Sequence, residues 1–194
     1  MPAPKETLID RSDMVLVLVD LQERLVAAMP HRERTLAAAG RLARGAALVG
    51  APILVTRQYP QGLGSTESSI EKLLIELADR DVRVSGVDKT AFCCAAEVEF
   101  NEALSATGRR QVVLAGMETH ICIVQTALAL AGSGYQVQVA ADACCSRDDV
   151  AHELALARMR AANVVVTHSD SVMYEAVGRA ATDEFKALLE IVKG

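Results

Sequence analysis

Short apolar runs alternate with longer amphipathic segments along most of this chain, and that alternation restricts the fold more than any other feature of the sequence. Met14 to Val19, Ile53 to Thr56, Val82 to Ser85, Gln111 to Ala115, Gln136 to Ala140 and Asn163 to Thr167 read as strands. Between the first two, His31 to Val49 places Leu36, Ala39, Leu42, Ala43, Ala46 and Ala47 at helical spacing, and Gly50-Ala51-Pro52 stops it. Thr66 to Ala78 repeats the pattern with Ile70, Leu73, Leu74 and Leu77, from a Thr66-x-x-Ser69 start. Further helices are predicted from Ala95 to Thr107, through Ala127 to Ala131, and over Asp148 to Ala161, Ser169 to Val177 and Thr182 to Val192. Alternating elements require crossover connections, so the expected fold is α/β, a single doubly wound domain whose central parallel sheet carries helices on both faces.

A length of 194 residues fits one such domain without staples, here 1–194 with a leader over 1–13 and a terminal helix over 182–194. The 51% hydrophobic share contains only 3% aromatic residues and no Trp, so the core must be aliphatic. The positive mean hydropathy of +0.22 points to surface buried in a homo-oligomer, a dimer or higher, and the amphipathic terminal helix is a candidate to pack on a partner subunit. A net charge of -5 without a basic cluster argues against nucleic acid as a partner. The apolar runs are too short for a membrane span, and the polar start MPAPKETLIDRSD is no signal sequence, so no membrane partner and a cytoplasmic location are expected. The adjacent pairs Cys93/Cys94 and Cys144/Cys145 lack zinc-ligand spacing and read as packing thiols.

Chemistry concentrates at three strand ends. Gly116-Met117-Glu118-Thr119-His120-Ile121-Cys122 lies between a strand and a helix, with Cys122 in the helix's first turn. Unpaired N–H groups and the positive end of the helix dipole favour a thiolate there, although free cysteines are usually buried hydrophobes. Asp20 ends the first apolar run, where open α/β sheets place ligands and where helix caps also occur. Lys89 follows the run Val82 to Val87, and lysines are mostly solvated. Arg57 to Ser65 reads as a loop at the same edge, and Phe92 lies one turn past Lys89, as a pocket wall or a core residue.

Asp20 in VLVLVDLQ, Lys89 in DKTAFCC and Cys122 in GMETHIC stand in the order Asp, Lys, Cys, and in this the chain resembles the isochorismatase-like cysteine hydrolases over essentially its whole length. That superfamily also holds nicotinamidases and N-carbamoylsarcosine amidases. VAADACCSR resembles its following strand and loop, while TRQYPQGLGST, KTAFCC and DEFKALLEIVK are closest to the isochorismatase-domain-containing group. The resemblance implies a Rossmann-like fold and a catalytic triad of Asp20, Lys89 and Cys122. It also implies a non-proline cis bond at Met117-Glu118, with the backbone N–H groups of Glu118 and Cys122 as oxyanion hole. Metal-binding nicotinamidases would carry an Asp and several His residues after the second strand. No His stands between Val55 and Val87 here, so neither a metal site nor a cofactor is expected.

The reaction so implied is hydrolysis of a C–N bond in a small amide or carbamoyl substrate. Cys122 attacks, Asp20 takes the thiol proton and Lys89 stabilises the anion. Gln22, Tyr59, Phe92, Glu118 and His120 are substrate-binding candidates by proximity to the motifs. Two alternatives stay open: vinyl-ether hydrolysis of an isochorismate-type substrate, for which the family does not require the cysteine, and a binding or scaffold protein that keeps the fold.

Overall fold

The computed structural model describes residues 7–193, and six parallel strands run through it: β1 (Met14–Val19), β2 (Ile53–Gln58), β3 (Val84–Lys89), β4 (Gln111–Met117), β5 (Gln136–Cys145) and β6 (Val165–Thr167). Their order is β3-β2-β1-β4-β5-β6, so the chain fills one half of the sheet outward from β1 and then returns to fill the other. The strand β1 is buried at all six positions. Its side chains alternate between two cores, with Met14, Leu16 and Leu18 on one face and Val15, Val17 and Val19 on the other. This is a single α/β domain with helices on both faces of an all-parallel sheet.

The helices are α1 (Glu23–Ala27), α2 (Arg32–Leu48), α3 (Pro60–Leu63), α4 (Ser68–Ala78), α5 (Val98–Ser105), α6 (Val124–Gly132), α7 (Asp149–Ala161), α8 (Ser169–Val177) and α9 (Asp183–Lys193). The first face is covered by α2, α4, α8 and α9 through Ala39, Leu42, Leu73, Met173 and Leu188, among others. The second is covered by α5, α6 and α7 through Phe100, Ala127 and Met159. The amphipathic α9 spends its apolar face inside the chain: Leu188 is fully buried, and Phe185, Ile191 and Val192 pack against the same core. The apolar face from which partner packing is expected thus packs in large part within the chain.

Several strand ends reach further than the apolar runs, because pairing with a neighbour extends a strand beyond its hydrophobic stretch. Arg57 pairs with Asp88 and Gln58 with Lys89, which carries β2 to Gln58 and makes Lys89 the last residue of β3 rather than a residue beyond it. Gly116 and Met117 pair with Cys144 and Cys145 after a register shift, so β5 continues through the segment expected to be partly loop. The helix predicted from Ala95 to Thr107 is broken at Glu97, whose extended backbone (φ -95°, ψ 132°) separates the 3-10 turn Cys94–Ala96 from α5. Its carboxylate accepts hydrogen bonds from Thr90 N–H and Ala91 N–H at 2.8 and 2.7 Å, tying down the chain after β3. Helix α4 is capped by the side chain of Glu67, not by Thr66, whose backbone bridges to Gln22.

Of the leader, Thr7 onward is described, and Met1 to Glu6 lie outside the described residues, as does Gly194. The carbonyls of Thr7 and Leu8 accept from Gln138 and Gln111 at the amino ends of β5 and β4. No helix among the described residues is long and apolar enough to cross a membrane.

Candidate active site

In this strand order the chain turns in opposite directions from β1 and β4, and the carboxyl ends of those two strands border the crevice where open α/β sheets bind ligands. Asp20 follows β1 directly and is fully buried, in a left-handed backbone conformation (φ 54°) that is uncommon outside glycine. Lys89 comes from two strands away. Adjacent strands lie about 4.8 Å apart, so a side chain on β3 must cross roughly 10 Å to meet one on β1, and lysine is long enough to span the end of β2.

Lys89 Nζ lies 2.7 Å from Asp20 Oδ2, with both side chains fully buried. It also faces Gln58 Oε1 at 2.6 Å, the carbonyls of Ala91 and Phe92 at 3.2 and 3.4 Å, and Cys122 Sγ at 3.7 Å. Burial pulls the lysine pKa down, but the charge of Asp20, with smaller contributions from the two thiols Cys94 and Cys122, outweighs it, and the net shift is upward. Lys89 is thus an ammonium with more acceptors than protons. The contact with Oδ2 is a close ion pair without hydrogen-bond direction, so this oxygen keeps an acceptor direction open. Oδ1 is taken by the Thr56 hydroxyl at 2.7 Å.

On the far side of β1, strand β4 ends at Met117, the Met117–Glu118 peptide bond is cis, and a π-helical turn over Thr119–Ile123 carries Cys122 into α6. The close approach of β4 to β1 depends on Gly116. Its φ of 129° suits glycine, and a Cβ there would sit 2.0 Å from the carbonyl oxygen of Val19. Cys122 is 5% exposed and accepts from Lys89 Nζ at 3.7 Å. Burial, and then the Asp20 carboxylate, push its thiol well above the ordinary range, while Lys89 pulls it down by less. The thiolate expected from the helix start does not follow. Burial and the neighbouring carboxylate favour the Cys122 thiol over its thiolate, and the same carboxylate favours the Lys89 ammonium.

The other sequence candidates divide into two groups. Gln22 is fully buried, and its amide is used by backbone: Oε1 accepts from Gln58 N–H at 2.7 Å, and Nε2 donates to the carbonyls of Gln58 and Gly64 at 3.0 and 2.8 Å. The Glu118 carboxylate is buried and accepts from the side chain and backbone N–H of Arg147. Tyr59 and Phe92 are both 55% exposed, and Tyr59 holds a left-handed backbone (φ 37°) while its N–H donates to the Lys89 carbonyl at 2.8 Å. His120 is half-buried, with Nδ1 2.9 Å from Ser146 Oγ. Thr56 and Gln58 are not among the site residues read from the sequence, and Cys94, read there as a packing thiol, lies beside Thr56. The one available signal was that Thr56 and Gln58 are polar residues two apart at the end of a strand, hence on the same face. Among the described residues, no group of three or more His, Cys, Asp or Glu side chains is arranged to hold a metal ion.

Residues 14–171 match the isochorismatase domain model. The chain is 35% identical over 179 residues to isochorismatase domain-containing protein 1 from Danio rerio, covering 92% of this chain and 60% of that protein, and so spans under two thirds of that relative. It is 36% identical over 179 residues to isochorismatase domain-containing protein 2A from Mus musculus, covering 92% and 82% respectively. Among solved structures, MAR1 ribonuclease from Caenorhabditis elegans superposes with a TM-score of 0.86 at 26% identity over 96% of this chain and 93% of that one. Two more share the fold: Escherichia coli YcaC, described as an octameric hydrolase of unknown specificity (TM-score 0.82, 22% identity, 98% and 92% covered), and the Staphylococcus aureus nicotinamidase (TM-score 0.74, 19% identity, 81% and 99% covered).

Proposed function

This chain belongs to the isochorismatase-domain family, and from that premise we propose that it is a cysteine hydrolase cleaving a C–N bond of a small amide or carbamoyl substrate through a covalent intermediate on Cys122. The observation that carries this reading is one buried ammonium, Lys89 Nζ, 2.7 Å from Asp20 Oδ2 and 3.7 Å from Cys122 Sγ. Because Cys122 rests as a thiol, attack requires the proton to leave as the S–C bond forms, and Asp20 Oδ2 is the acceptor with a free direction. The backbone N–H groups of Glu118 and Cys122 serve as oxyanion donors. Asp20 returns the proton to the leaving nitrogen as the C–N bond breaks, and a water deprotonated by Asp20 then hydrolyses the thioester and restores the thiol. Lys89 pairs with the Asp20 carboxylate and offsets the negative charge that develops beside it.

Tyr59, Phe92 and His120 are the candidates for substrate contact. Gln22 and Glu118 act through the backbone they brace, because their polar atoms are already taken up. No metal or cofactor enters this scheme. The exposed Val98, Val150 and Leu154 (65–67%) support a homo-oligomer, which light scattering would measure. A screen of small amides and carbamoyl compounds, with mass detection of an acyl adduct on Cys122, tests the reaction. The adduct should be absent in Cys122→Ala. Turnover of an isochorismate-type vinyl ether that survives Cys122→Ala would replace this reading, and RNA in the same screen tests the activity named for the C. elegans relative.

A further inference from the structure

Strand β2 lies between the two strands that supply the ion pair, so whatever its last residues present toward the site touches both partners. Thr56 and Gln58, two apart, share one face of β2. Thr56 Oγ1 donates to Asp20 Oδ1 at 2.7 Å, and Gln58 Oε1 accepts from Lys89 Nζ at 2.6 Å. Gln58 is itself fixed, since its Nε2 donates to the Thr90 carbonyl at 2.7 Å and its backbone is clasped by Gln22. Thr56 is fully buried and has one further neighbour, Cys94 Sγ at 3.9 Å.

A hydroxyl has one proton and two acceptor lone pairs, whereas a carboxylate only accepts. Facing Asp20, Thr56 must therefore donate, and the lone pairs left over must receive the Cys94 S–H. The direction of this chain, Cys94 to Thr56 to Asp20 Oδ1, is fixed by valence. Cys94, fully buried and with its thiol pushed up to about 11 by burial, meets the carboxylate only by way of the Thr56 hydroxyl.

We infer that Thr56 is a positioning residue of this site: by occupying Oδ1 it fixes the rotation of the Asp20 carboxylate and commits Oδ2 to Lys89 and the Cys122 proton. The inference rests on the hydrolase reading above. Thr56 itself touches no reacting atom, so a merely structural threonine would alter stability and leave the proton chemistry of Cys122 where it was.

The experiment is the pH profile of alkylation of the full chain by acrylamide and by iodoacetamide, with the label on Cys122 quantified by peptide mass. Wild type is compared with Thr56→Ser, Thr56→Val and Thr56→Ala. The titratable groups facing Asp20 are Lys89 from β3, Cys94 from the 3-10 turn and Cys122 from the π-helical turn, with Glu97 acting on Lys89 from the start of α5. None is altered by these substitutions. Removing the donor to Asp20 destabilises its carboxylate and so makes the Asp20–Cys122 pair harder to deprotonate. The acid limb of Cys122 labelling should rise by about one pH unit in Thr56→Val and Thr56→Ala, and the rate on that limb should fall about tenfold, the size of one hydrogen bond to a charged group. Thr56→Ser should stay close to wild type. Should Thr56→Val prove too unstable, Thr56→Ala makes the same deletion without the added methyl group. Selective labelling in wild type with unshifted Val and Ala profiles overturns the role of Thr56 and leaves the hydrolase reading standing. Labelling of wild type without preference for Cys122 overturns both.

Discussion

The two ends of the same sheet are built on opposite principles. At the carboxyl ends of β1, β3 and β4 the protein buries a carboxylate, an ammonium and a thiol together, beside a left-handed Asp20 and a glycine pressed against the β1 backbone. At the amino ends of β4 and β5 it buries neutral amides. Gln111 donates to the Leu8 carbonyl and to Gln136 at 2.9 and 2.8 Å and accepts from Asp10 N–H, while Gln138 donates to the Thr7 carbonyl at 2.7 Å. A cavity of about 390 Å³ beside these amides is lined by Ile9, Tyr135, Val137 and Val165 among others. Both ends bury polar groups, but only the first buries charges whose separation would be costly. Buried ion pairs contribute little net stability compared with apolar packing, so stability alone does not account for one at this end of the sheet.

The sharpest test of that contrast removes the nucleophile. Cys122→Ala should lower amide hydrolysis by roughly 10⁴-fold or more while leaving the urea midpoint close to wild type, since the missing sulfur is needed for bond formation and little for packing. Lys89→Met should act on the fold itself. It strands the Asp20 carboxylate in a dry site, at about 3 to 5 kcal/mol in urea unfolding, and adding Asp20→Asn should recover much of the loss because no lone charge remains. Gly116→Ala should cost about 2 to 4 kcal/mol, because neither the positive φ nor the 2.0 Å contact with the Val19 carbonyl oxygen can relax without moving β1.

A smaller effect should come from Glu118. Burial would raise its carboxyl, but the hydrogen bonds and charge of Arg147 prevail and hold it below the ordinary 4.5. A depressed folded value stabilises the protein above the unfolded value, and this contribution is lost as pH falls through the folded one. The stability gap between wild type and Arg147→Ala should therefore be at most about 1 kcal/mol at neutral pH, since Arg147 is 63% exposed, and should narrow as pH falls below 4.5. Smallest of all, Gln138→Met at the amino end removes a buried Oε1 that has no hydrogen-bond partner but also the bond to the Thr7 carbonyl. These nearly cancel, within about 1 kcal/mol, and activity should not change. A large loss of activity there would mean that the two ends are coupled and the contrast is wrong.

The strands and most helices were legible because burial leaves a periodic trace. Met14–Val19 and Ser169–Val177 agree with the sequence reading at both ends. The deviations lie where pairing or a local cap overrode the apolar pattern. Strand β3 was the hardest to place, for it is an edge strand with only Val87 and Lys89 buried, and its extent is set by β2. Helix α1 and the single turn α3 went unread, because elements of four or five residues are too short to show a period.

At the site, the residue types and order of Asp20, Lys89 and Cys122 were fixed by the sequence alone, as was their placement at strand ends, because a motif is a local property of the chain. Their proton states were not. Whether Cys122 is a thiol or a thiolate depends on how deeply the π-helical turn is buried and on the distance to a carboxylate 102 positions earlier, and both are set by packing. The same holds for Thr56 and Gln58. As letters they are ordinary polar residues near a strand end, and only the strand order, which sets β2 between β3 and β1, turns them into the partners of Asp20 and Lys89. Hydrogen bonds and dielectric environment are relations between distant parts of the chain, so tertiary structure alone decides them.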